Sequence, residues 1–185
     1  MNLLDVVFIG LGLSMDAAAV SMTNSMVYKK SRKRLWLMPL FFGAFQAFMP
    51  LIGYYAGGLF AEYIQKYAGI VAFIILGFIG VNMVREAVKC KDGACEVGQI
   101  LTIKSIIAQA IATSIDAFAV GVSFSIGGLS LNILLAVGII GITTALCSIL
   151  AIILGKKFGD TLEGKAEIFG GIILILIGIK SLLGI

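Results

Sequence analysis

Ser14-Met15-Asp16-Ala17-Ala18-Ala19-Val20 and Ser114-Ile115-Asp116-Ala117-Phe118-Ala119-Val120 are two versions of one Ser-x-Asp-Ala-x-Ala-Val segment, each set inside a long apolar run. Asp16 and Asp116 are therefore expected at bilayer depth, where an ionised side chain costs at least roughly 2.5–3.5 kcal/mol. A chain that meets this cost twice, at matching positions, is expected to use the two carboxylates together.

The surrounding composition points the same way. Of 185 residues, 60% are hydrophobic and 13% charged, and the mean hydropathy is +1.09. Soluble domains carry about 25% charged residues. The apolar residues arrive in blocks of about 20, the length that spans hydrocarbon. Much of the net charge of +4 sits in one cluster, Lys29 to Arg34, which suits a lipid bilayer as partner and gives no nucleic-acid surface. Histidine is absent, which removes the commonest zinc ligand and the usual neutral-pH base.

The N-terminal residues Met1 to Asp5 lack the basic region of a signal peptide. The small residues Ala17 and Ala19 recur at Ala117 and Ala119, so shared architecture accounts for them better than cleavage does. An all-α membrane protein with six spans is expected: Leu3 to Val27, Leu35 to Phe60, Ala68 to Val88, Ile103 to Ile126, Leu131 to Leu154 and Ile168 to Leu183. The first loop holds five basic residues, the third Lys89 and Lys91, and the fifth Lys156, Lys157 and Lys165; the second has only Lys66 and the fourth none. Odd-numbered loops are expected in the cytoplasm and both termini outside.

The repeat extends beyond the aspartate segments. At an offset of 98, Gly43 matches Gly141, Gly57 matches Gly155, Phe60 matches Phe158, Glu62 matches Asp160 and Gly80 matches Gly178. Gly53-x-x-x-Gly57 has a displaced counterpart in Gly155-x-x-x-Gly159, a spacing that lets helices approach closely. Residues 1–92 and 93–185 would each carry three spans. Three is odd, so the halves would enter the membrane in opposite directions as inverted repeats, with a site at the midplane where they meet.

An oxygen-rich site with two carboxylates suits one hard divalent cation such as magnesium, calcium or manganese. The helical face of Asp16 includes Gly12, Val20 and Thr23, and that of Asp116 includes Gln109, Ala112, Thr113 and Ser123. Ser14 and Ser114 lie off those faces and would join only where the helix breaks. Pro50 deprives the Gln46 carbonyl of its helical partner. The oxygens of Gln46 are thus acceptors near aspartate depth, or the proline makes a simple kink tolerated in a bundle. Thr144 is the repeat partner of Gln46 and Ser148 that of Pro50. Asn24 and Asn82 are further oxygen donors, which interhelical hydrogen bonding explains equally well.

Other features carry plainer readings. Cys90 and Cys95, near Asp92 and Glu96, lack the two further soft ligands of a closed zinc site and read as reduced thiols. Cys147 and Met15 read as packing residues, and Lys180 as a snorkelling lysine near the outer end of the last span.

Ser14 to Ala17, Ser114 to Ala117, six spans in two repeats and a length below two hundred resemble the manganese efflux pump family, MntP. The resemblance covers essentially the whole chain. It implies export of manganese(II) from the bacterial cytoplasm across the inner membrane, with Asp16 and Asp116 as the essential motif acids. Manganese would be the transported substrate, with no cofactor and no enzymatic activity. The expected cycle takes the ion from the cytoplasm onto Asp16, Asp116 and nearby oxygens and rocks the halves to expose it outside. Repulsion between the emptied carboxylates would favour proton uptake, so antiport and potential-driven uniport are both open, as is the oligomeric state. The alternatives are export of another cation (calcium, magnesium, cadmium or a cationic amino acid) and an intramembrane aspartyl protease, whose Gly-x-Gly-Asp pattern is absent.

Overall fold

The computed structural model describes residues 3–28, 31–56, 67, 70, 73–82, 84–85, 101–127, 131–161 and 166–183. Every regular element among them is a helix: α1 (Leu3–Val27), α2 (Arg32–Leu35), α3 (Met38–Ala56), α4 (Phe73–Asn82), α5 (Ile103–Thr113), α6 (Ile115–Gly127), α7 (Ile133–Thr161) and α8 (Ala166–Leu183). Four stretches are long and apolar enough to cross a membrane: Leu3–Val27, Lys33–Ala56, Ile103–Ser125 and Ile133–Phe158. Shorter apolar helices run Phe73–Asn82 and Gly171–Lys180. This is an all-helical, multi-pass membrane protein.

Large apolar side chains cover the outside. Phe8, Met15, Leu40, Tyr55, Phe78, Ile142, Leu146, Leu150 and Leu176 are all exposed. An aqueous surface would not carry them so densely, whereas lipid solvates them at no cost. Met15, read from the sequence as a packing residue, is among these exposed side chains.

Lipid supplies no hydrophobic drive between helices, so their association rests on close packing and internal hydrogen bonds. α1 lies along α7 and is flanked by α8, while α3 packs against α7, α6 and α5. At the crossing of α3 and α7, a Cβ on Gly43 would stand 2.8 Å from the Gly141 carbonyl oxygen, and one on Gly141 would stand 2.8 Å from that of Gly43. α3 and α6 approach as closely, with Gly53 against the Phe118 backbone and Gly121 against that of Pro50. Between α4 and α8, Gly80 meets Gly171 and Gly178 meets Phe73. Gly57, part of the expected glycine spacing, lies outside the described residues.

One end of the bundle gathers the basic connections. The Arg34 guanidinium donates to the Leu101 carbonyl at 2.9 Å, and the Leu101 amide donates to Ser31 Oγ at 3.2 Å. Lys156 Nζ stands 4.8 Å from the Trp36 ring centroid, a cation–π contact. Ser31, Arg34 and Trp36 thus meet Leu101, just before α5, and Lys156, near the end of α7, at one end of the bundle. Two boundaries differ from the sequence expectation there. Arg32–Leu35 is a helical turn rather than loop, and α7 continues past Leu154 to Thr161, its lysines carried on the helix where Trp36 receives one.

Candidate metal-ion site

Asp16 sits near the middle of α1, half-buried. Its Oδ1 lies 3.4 Å from Lys180 Nζ on α8. The sequence reading placed Lys180 as a snorkelling residue; instead the packing of α8 on α1 brings its ammonium to the motif carboxylate.

Asp116 is held differently. The fourth span, expected as one helix, breaks at Ser114, whose φ and ψ are −111° and 5°. Three local bonds make the break. Thr113 Oγ1 donates to the Gln109 carbonyl at 2.9 Å and to the Ala110 carbonyl at 3.3 Å, and the Ser114 amide donates to the Ile111 carbonyl at 3.1 Å. These satisfy carbonyls that lose their partners where α5 ends. The first half has Leu13 where the second has Thr113, and α1 runs through Ser14 without interruption. Asp116 consequently falls in the first turn of α6, where the helix dipole favours an anion. Its Oδ1 accepts a hydrogen bond from the Ala117 amide at 2.8 Å.

Gln46 projects from α3 into this level. It is fully buried; its Nε2 donates to the Leu13 carbonyl at 2.9 Å, one turn before Asp16, and its Oε1 has no partner among the described residues. Pro50 is accommodated inside α3, which stays one helix from Met38 to Ala56. Buried hydroxyls without partners among the described residues stand at Ser21, Thr23, Ser114 and Ser148. Unpaired buried oxygens are costly, and oxygen is what a hard cation selects.

A second polar layer lies toward the basic end. Asn24 Nδ2 donates to Gln109 Oε1 at 2.6 Å and contacts Met38 Sδ at 3.7 Å, while Asn24 Oδ1 and Gln109 Nε2 have no partner among the described residues. Asn24 is eight positions beyond Asp16, about 12 Å along the helix at 1.5 Å per residue. Gln109 was legible only as a member of the Asp116 face, and Met38 not at all. Their meeting depends on where α3 and α5 pack.

Other expected donors are tied to their own helices. Ser14 Oγ donates to the Leu11 carbonyl at 2.8 Å, Thr144 Oγ1 to that of Ile140 at 2.9 Å, and Ser123 Oγ to that of Ala119 at 3.0 Å. Ser123 is exposed whereas Thr23, its counterpart, is buried. Cys90 and Cys95 lie outside the described residues; Cys147 is free and half-buried. Among the described residues, no group of three or more histidine, cysteine, aspartate and glutamate side chains is placed to hold a metal.

A family model described as "Putative manganese efflux pump" matches residues 29–182. A Methanosphaera stadtmanae protein named "Putative manganese efflux pump MntP" is 46% identical over 98% of this chain and 99% of its own length. Proteins of the same name from Ruminiclostridium cellulolyticum and Methanobrevibacter smithii are 44% and 41% identical, over 97% and 99% of this chain and 95% and 98% of theirs. No solved structure matches. The chain belongs to the manganese efflux pump family, a family of transporters rather than enzymes.

Proposed function

We propose that this protein carries manganese(II) out of the cytoplasm across the plasma membrane, by alternating access around Asp16 and Asp116. One observation carries the reading: a motif carboxylate, Asp116, stands in the first turn of a helix that starts at a break in mid-span. Broken helices at membrane depth are tolerated where they line a cavity or site, and transporters use them to hold ions. The name of the relatives supplies manganese; the oxygens of Asp16, Asp116, Gln46 and Thr23 supply the preference for a hard dication. Ser14, Ser114, Thr113, Ser123, Asn24 and Thr144 are secondary donors along the path.

The halves form inverted repeats, residues 1–92 and 93–185. The offset of 98 that relates Gly43 to Gly141 also relates Phe73 to Gly171 and Gly80 to Gly178. The contact of Gly80 with Gly171 is then the image of that between Gly178 and Phe73, and the Gly43–Gly141 contact is its own image. Such reciprocity is what a two-fold axis in the membrane plane produces. The face that gathers Arg34, Leu101 and Lys156 is the cytoplasmic one, with both termini outside. Proton uptake onto the vacated acids resets the cycle.

The test is export from cells loaded with manganese. Asp116→Asn is expected to leave the protein in the membrane and abolish export. Normal manganese loss in that variant contradicts the reading, and a panel of magnesium, calcium and lysine measures its specificity.

A further inference from the structure

Lys180 is the one basic residue of α8, a helix otherwise apolar from Ile168 to Ile179. Its ammonium lies 3.4 Å from Asp16 Oδ1, and the two side chains are 56% and 31% exposed. That distance is long for a charge-assisted bond, which closes to about 2.7–2.9 Å when tight. The contact is partly exposed rather than enclosed, and a lysine stem swings on four carbons. These features describe a cation that can leave. A structural ion pair at membrane depth would be enclosed and short, because separating it there strands two charges.

We propose that Lys180 is a tethered counter-cation: it occupies Asp16 when no dication is bound, is displaced when the dication arrives, and returns to help expel it. The proposal rests on the reading of Asp16 and Asp116 as the ion site. An ammonium 3.4 Å from Asp16 Oδ1 repels a dication on the same carboxylate, so binding becomes an exchange of cations. Without Lys180, Asp16 would lose its only cationic partner among the described residues once the ion had left. With it, the emptied site keeps a partner for one acid and meets a second metal from outside with a competitor in place. Weaker affinity and faster release follow, both of use to an exporter.

The experiment is manganese(II) titration of the purified full chain in nanodiscs, with free ion followed by electron paramagnetic resonance. Lys180→Met is expected to bind about tenfold more tightly than the unaltered protein, since a unit charge near the metal is removed. Its export in proteoliposomes is expected to slow, while Lys180→Arg stays close to the unaltered protein in both. Loss of a merely structural lysine would weaken binding, so tightening separates the two roles. Lys180→Gln replaces Lys180→Met if the latter does not survive purification. Unchanged or weaker binding in the neutral variant, with binding still abolished in Asp116→Asn, overturns the role of Lys180 and leaves the acid pair standing. Normal binding in Asp116→Asn overturns both.

Discussion

Gly43 and Gly141 face each other across the α3–α7 crossing, each with its would-be Cβ 2.8 Å from the other's carbonyl oxygen. The two helix backbones touch at a point that the repeat maps onto itself. A side chain at either position must push α3 and α7 apart, and overpacking of this kind costs about 1–3 kcal/mol. Gly43→Val and Gly141→Val are expected to lower thermal stability in detergent by similar amounts. Gly138→Ala, where nothing lies within 4 Å, is expected to leave it unchanged.

The helix break before Asp116 depends on Thr113, whose hydroxyl bonds two carbonyls at the end of α5. Thr113→Leu copies the residue that α1 carries at the matching position, Leu13. The variant is expected to retain its fold, extend helix through Ser114 and lower export several-fold. Transport at the level of the unaltered protein would show the break to be incidental.

Gln46 joins α3 to α1 through the Leu13 carbonyl and leaves an oxygen over. Gln46→Leu removes both. Loss of the hydrogen bond costs about 1 kcal/mol, and loss of the spare oxygen is expected to weaken manganese binding. Titration of the variant beside Gln46→Asn, which keeps an amide on a shorter stem, separates the two effects.

The Asn24–Gln109 bond at 2.6 Å spans α1 and α5. Interhelical bonds in membranes couple by about 0.6 kcal/mol on average and about 1.7 kcal/mol at most. A double-mutant cycle with Asn24→Ala and Gln109→Ala, read by reversible unfolding, is expected to return a coupling in that range. Strict additivity would show that the two carboxamides do not depend on each other.

Much of this was legible in the residues. The end of α1 at Val27 follows from a mainly apolar run closed by a basic cluster. The pairing of Gly43 with Gly141 was visible as a repeat, though not as a contact, because periodicity places residues on faces and does not say which faces meet. The break at Ser114 escaped a hydropathy reading: Thr113 and Ser114 leave the run apolar on average, while their local hydrogen bonds decide where the helix ends. Lys180 was misread for a related reason. Near a span end a lysine normally reaches for the interface, and only the packing of α8 on α1 puts Asp16 within its grasp.

The central claim is that Asp16 and Asp116 serve one ion together, and manganese export by single and double variants tests it most directly. The account predicts that Asp16→Asn, Asp116→Asn and the double variant all fall to the same background, since either loss empties a shared site. Substantial export in either single variant, or partial losses that multiply in the double, would contradict it.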